Sequence, residues 1–249
     1  MKKALAASLV WLGVVFSSFV FAAEVTVLSG GAVEPGLHAA VAQFEKQTGH
    51  HAKLTFNTTP QIQKRIEAGE AFDIVIVPPA ATDIFAKAGT VEAGGIGVGR
   101  VGIGVAARPG VVAPDISSVD TLKKSLREAD SIVFNKASSG LYVENLLKKL
   151  GMAADVEPKS VRYADGASVM EHLLKGKGNE FGFGAMTEIL LYKEKGLRLV
   201  GPLPAELQNY TPYMASLTPR GKSTEAAREL VAFFGTPAGR KLFADAGVE

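Results

Sequence analysis

Apolar positions along this chain alternate between two rhythms. Val25-Thr-Val-Leu28 is a short β-branched run ending in the Gly30-Gly31 turn. Leu37, Val41 and Phe44 then recur at helical spacing, which predicts a helix over about Pro35 to Gln47, stopped by Gly49. Ala52 to Phe56 alternates as a strand. Thr59-Pro60 supplies an N-cap and a first-turn proline for a helix running to Ala68. Phe72 to Val77 is almost wholly apolar, as in a strand covered on both faces, and a short helix follows from Thr82 to Ala88. Strand–helix alternation over these ninety residues predicts a mostly parallel sheet with helices on both sides.

A second set of elements follows. Arg100–Ala107 reads as a long strand closed by Arg108-Pro109-Gly110. Helices are expected at 119–128, 140–150, 168–175 and 188–195, with strands at 131–134, 161–163 and 181–185. An apolar strand at Tyr213–Leu217 and helices at 224–234 and 237–245 end the chain. Two α/β lobes joined by crossing strands fit this order, and such a pair leaves a cleft near the carboxyl ends of strands.

The first residues change the cellular picture. Met1-Lys2-Lys3 precede an apolar stretch from Ala4 to Phe21, and Val20-Phe21-Ala22 has the small residues that signal peptidase needs. The expectation is a signal peptide over residues 1–22, cleaved after Ala22, and a periplasmic mature chain. A single membrane anchor is the rival, weakened because no charged flank follows the apolar run. The absence of cysteine excludes a lipidated cysteine, disulfides and thiol chemistry. Of 27 basic residues, Lys2 and Lys3 leave with the signal, so the mature chain is balanced at 25 basic against 25 acidic. Nucleic acid and anionic membrane therefore have no electrostatic support as partners.

Most motifs carry no chemistry. Gly97, Gly99 and Gly102 match G-x-G-x-x-G, yet they enter a β-branched run ending in Pro109, so no helix start is available for a pyrophosphate. His50-His51 lacks a further ligand at helical spacing and reads as a solvated surface pair, without metal. No cofactor and no catalytic triad is expected. Four strand-to-helix turns are more informative: Ser29-Gly30-Gly31, Thr58-Thr59, Ser138-Ser139-Gly140, and Thr187 before Glu188. A helix start offers free amides and partial positive charge, and small hydroxyl residues let an oxyanion approach them. These residues, with Tyr210 as a further wall residue, are the candidate ligand-binding set.

Phe44-Glu-Lys-Gln-Thr-Gly49, Phe72-Asp-Ile-Val-Ile76, Ser139-Gly-Leu-Tyr142, Leu147-Lys-Lys-Leu-Gly151 and Gly201-Pro-Leu-Pro204 occur in an order that resembles the periplasmic molybdate-binding proteins of ABC transporters. The resemblance implies a type II periplasmic-binding fold, with lobe 1 built from residues 23–103 and 205–249 and lobe 2 from 104–204. It implies a monomeric receptor that closes over a small anion, a molybdate- or tungstate-type oxyanion or a small carboxylate, and delivers it to a permease. Ala32 and Ala185 stand where that family places a serine and a tyrosine. A divergent branch includes aconitate isomerase. As an isomerase the chain would draw on Glu34, Tyr142, Tyr210 or Tyr213, with Arg65 or Arg100 as carboxylate partners.

Overall fold

The computed structural model describes residues 22–249, so the expected signal peptide lies almost wholly outside the described residues. β1 (Glu24–Gly30) passes through one 3-10 turn into α1 (Glu34–Thr48), which ends where Gly49 turns left-handed at φ 73°. β2 (His51–Asn57), α2 (Thr59–Glu67), β3 (Ile74–Val77) and α3 (Pro79–Lys87) follow. The last helix starts three residues before the expected Thr82, because Pro79 occupies its first turn, where a missing N–H costs nothing. β4 (Ile96–Ala107) begins before the expected Arg100 and takes Gly97, Gly99 and Gly102 into its length.

The second set comprises α4 (Val119–Glu128), β5 (Ser131–Asn135), α5 (Ser138–Lys149), a single turn α6 (Ala153–Val156), β6 (Ser160–Tyr163), α7 (Gly166–Lys175), β7 (Glu180–Ala185) and α8 (Met186–Leu191). β8 (Arg198–Pro202), β9 (Tyr210–Leu217), α9 (Pro219–Ser223), α10 (Glu225–Gly235) and α11 (Pro237–Asp245) complete it. Hydrophobic periodicity alone does not reveal α6, α9 or β8. The first two are about one turn long, and β8 is a half-exposed strand that ends in proline.

The strands lie in the order β2-β1-β3-β9-β4-β7-β5-β6, with β8 also on β4. The outer pairs β1–β2, β1–β3, β5–β6 and β5–β7 are parallel. Antiparallel pairing is confined to the join. There β4 faces β9 from Ile96 to Gly102, then changes partner and faces β7 from Ile103 to Ala107. Each half-sheet carries its own core. Phe44, Ile74, Phe234 and Phe243 pack together in the first half, with Ile62 and Phe85 on the opposite face. Phe134, Phe181 and Phe183 centre the second half, with Val169, Leu173 and Ile189 on its other face.

Asp73 ties the first half together. Only 1% exposed, it accepts from the Thr26 amide at 2.8 Å and the Thr26 hydroxyl at 2.7 Å, and it pairs with Arg220 at 3.1 Å. Asp73→Ala would leave a buried donor unsatisfied, and is expected to cost about 2–3 kcal/mol. A urea melt would register this as a lower midpoint with unchanged slope. The expected surface pair of histidines divides. His51 is exposed, but His50 is only 9% exposed and accepts from the Ala23 amide, so it belongs to the structure of the β1–β2 edge.

Candidate functional site

The carboxyl ends of β1, β2, β5, β6 and β7 open into one cavity of about 540 Å³ where the half-sheets meet. Such a position, outside strand ends at a join, is where open α/β sheets bind ligands. Gly30 and Gly31 line it from the first turn, Thr58 and Thr59 from the second, and Ser138 and Ser139 from the start of α5. A fourth turn, Asp165-Gly166-Ala167-Ser168, also lines it and was absent from the sequence-derived set. Its signal was present, since an Asp cap followed by glycine and serine matches the pattern of the other turns.

The remaining candidates lie elsewhere. Ser29 is fully buried and donates to the Gly30 carbonyl. Thr187 is the second residue of α8 rather than a residue before the helix; it is buried and donates to the Ala32 carbonyl. Gly140 is buried directly against the Asn135 carbonyl behind the turn. Tyr210 does not line the cavity, and its ring lies under the Arg100 guanidinium at 4.4 Å. Tyr142 donates to the Leu207 carbonyl at 3.0 Å, and Arg65 is held by Glu70 and Asn57. Arg100 faces Glu249 at 3.6 Å, so neither arginine reaches the cavity wall.

What the turns enclose is acidic. Glu34, Asp165, Glu171 and Glu188 line the cavity, against Lys195 as the basic residue of the lining. Glu188 reaches both halves: its carboxyl packs where a Cβ on Gly31 would stand 2.9 Å away, and it also blocks a Cβ on Gly166. A side chain at either position would push the Glu188 carboxylate aside. Desolvation pushes the Glu188 carboxyl up to about 7 against the pull of a backbone hydrogen bond at Ala185, and nearby Glu34 and Asp165 push the same way. Glu34 is raised as well, chiefly by burial.

Tyr213 stands beside this carboxyl. It is 7% exposed, lines the cavity, and sets its ring edge against Gly30, next in sequence to the glycine that admits Glu188. Burial and then the Glu188 charge hold its hydroxyl well above the ordinary tyrosine range, so it stays protonated. Tyr142 and Tyr163 have hydrogen-bond partners for their hydroxyls, whereas Tyr213 has none among the described residues.

Two α/β halves joined by crossing strands around one ligand-sized cleft define a type II periplasmic-binding fold. Residues 25–249 match the bacterial extracellular solute-binding proteins, and the chain belongs to that family. It is 26% identical over 230 residues to the aconitate isomerase of a Pseudomonas species, covering 90% of this chain and 87% of the relative. It is 30% identical over 226 residues to the molybdate-binding protein ModA of Azotobacter vinelandii, covering 87% and 86%. Among solved structures, the periplasmic molybdate-binding protein of Azotobacter vinelandii superposes with a TM-score of 0.75 at 16% identity, over 90% of this chain and 98% of that one.

Proposed function

We propose that the chain is a periplasmic receptor for a small organic acid with more than one carboxylate, held in the inter-lobe cleft and delivered as a monomer to an ABC-type permease. The observation that carries this reading is the convergence of four strand-to-helix turns, two from each half, on one 540 Å³ cavity. Amides in a helix's first turn have no acceptor within the helix. In α5 the Asn135 side chain takes those of Ala137 and Gly140, which leaves Ser138 and Ser139 for a ligand. In α7 Asp165 takes the Ser168 amide and leaves those of Gly166 and Ala167. Turns on opposite walls suit carboxylates at opposite ends of one molecule.

A tetrahedral oxyanion fits this cleft less well. Ala32 and Ala185 offer no hydroxyl, and Ser29 and Thr187 direct theirs to the protein's own carbonyls. An ionised Glu188 would also repel a compact dianion, whereas a longer acid can keep its charges apart. With its proton, Glu188 becomes a donor to such a ligand. Lobe 1 (residues 23–103 and 205–249) and lobe 2 (104–204) would close by a small change where β4 switches partner.

A thermal-shift panel of citrate, cis- and trans-aconitate, molybdate, tungstate and sulfate tests this. A carboxylate at about a thousand times its Kd should raise the melting temperature by several degrees, while the metal oxyanions leave it unchanged. A response to molybdate and tungstate alone would overturn the organic-acid reading. Thr58→Ala with Thr59→Ala should remove the ligand-induced shift and lower the unliganded stability by only about 1 kcal/mol, the usual value of a helix cap. An unchanged ligand response would take that turn out of the site.

A further inference from the structure

We propose that Glu188 sets the specificity of the cleft by entering the complex with its proton on and donating its O–H to a ligand carboxylate, so that above neutral pH the protein takes up one proton for each acid it binds. The proposal rests on reading the cleft as a carboxylic-acid site. Glu188 has little freedom to withdraw from a ligand there. Its carboxyl is bracketed by Gly31 of one half and Gly166 of the other, each lacking the Cβ that would collide with it. One residue back, Thr187 donates to the Ala32 carbonyl and so pins the start of α8 to the first turn. The carboxyl therefore stands in the cavity wall where the two halves meet.

The surrounding charges decide which form of this carboxyl can lie beside an anion. α1 presents Glu34, with His38 at 3.8 Å from it, and the α7 end presents Asp165 and Glu171. β9 presents Tyr213, and the segment after α8 presents Tyr192 and Lys195. The lining stretches of β4 and β7, Val101 to Ile103 and Ala185, carry no charge. Both tyrosines are held above their ordinary range, chiefly by burial, and stay protonated. Lys195 is spread over the Tyr192 ring at 4.5 Å, a single cation against Glu34, Asp165 and Glu171. An ionised Glu188 adds a fourth negative charge, and a bound carboxylate adds more while removing water from both groups. Protonated, the same carboxyl forms a charge-assisted O–H···O⁻ hydrogen bond to the ligand instead of repelling it. In the free protein desolvation, and then Glu34 and Asp165, already push it up to about 7. A bound anion acts in the same direction. Below pH 7 the proton is in place and affinity is level. Above it the proton must come from solvent, and affinity falls by up to about tenfold per pH unit.

Isothermal titration calorimetry with citrate, and separately with trans-aconitate, at pH 8 in buffers of different ionisation enthalpy counts the protons. The slope of binding enthalpy against buffer ionisation enthalpy should approach one proton taken up per ligand bound by the wild-type protein. Its Kd should rise about tenfold from pH 8 to pH 9. Glu188→Gln, which keeps a donor but has no proton to gain, should bind with no uptake and with a Kd that is level over that range. Uptake by Glu188→Gln equal to that of the wild type would overturn the assignment of the proton to Glu188. Binding by the wild type with no uptake and a level Kd would sink the proposal and leave the carboxylic-acid reading standing. If neither acid gives binding heat or a thermal shift, that reading falls and the proposal falls with it.

Discussion

At pH 8 the Glu188→Gln variant is expected to melt about 6–10 °C above the wild-type protein, while below pH 4.5 the two should melt together. The sign follows from where the proton is held more tightly. An unfolded glutamate titrates near 4.5 and the folded Glu188 near 7. Between those values the folded state keeps a proton that the unfolded state has released, so stability falls as pH rises. The slope is about 1.4 kcal/mol per pH unit, reaching up to about 3 kcal/mol, and it is flat above pH 7. Glutamine has no proton to lose and can still accept the hydrogen bond at Ala185. The charged groups acting on Glu188 from neighbouring elements, Glu34 and Asp165, oppose its ionisation and reinforce the trend. Melting curves of the two proteins from pH 4 to 9 check this directly. Parallel curves would show that Glu188 is not enclosed as described.

Gly140→Ala is expected to be destabilising by about 3 kcal/mol or more, lowering the melting temperature by at least 6 °C. An added Cβ would fall on the Asn135 carbonyl oxygen, which is fixed backbone at the end of β5. No rotamer change relieves that contact, so the start of α5 must move away from the sheet. Asn135 organises the same turn: its side-chain oxygen accepts from the Ala137 and Gly140 amides at 2.9 and 3.1 Å. The displacement would therefore also disturb the Ser138 and Ser139 amides. Thermal melts with and without ligand separate the two effects, and a variant that melts like the wild type would refute the close approach.

The elements that sequence reveals well are those whose cause is local. The runs at Val25–Leu28 and Phe72–Val77 are apolar enough to mark strands, and Thr59-Pro60 marks a helix start from its own cap chemistry. Three of the cleft turns were legible for the same reason. Ser29 and Thr187 misled because a hydroxyl near a turn does not say which way it points. Ser29 turns inward at the end of β1, and Thr187, in the first turn of α8, spends its hydroxyl on the Ala32 carbonyl. Tyr210 and Tyr213 could have been separated, since residues three apart on a strand lie on opposite faces. Glu188 was beyond reach: its meaning comes from Gly31 and Gly166, which only the assembled sheet brings to it.

The placement of β9 has a consequence for the order in which the molecule can fold. β9 lies between β3 and β4, so the half-sheet begun by the first ninety residues lacks an inner strand until residues 210–217 arrive. Until then β3 presents an open, fully apolar edge, the kind of surface that recruits other chains. Strands β5, β6 and β7 come from one continuous stretch and can pair as soon as they are made. The second half is therefore positioned to collapse first, and the first half depends on a β3–β9 pairing across about 140 residues, the slow class of sheet pairing. During refolding, aggregation should be governed by how long the edge at Ile74–Val77 waits for its partner.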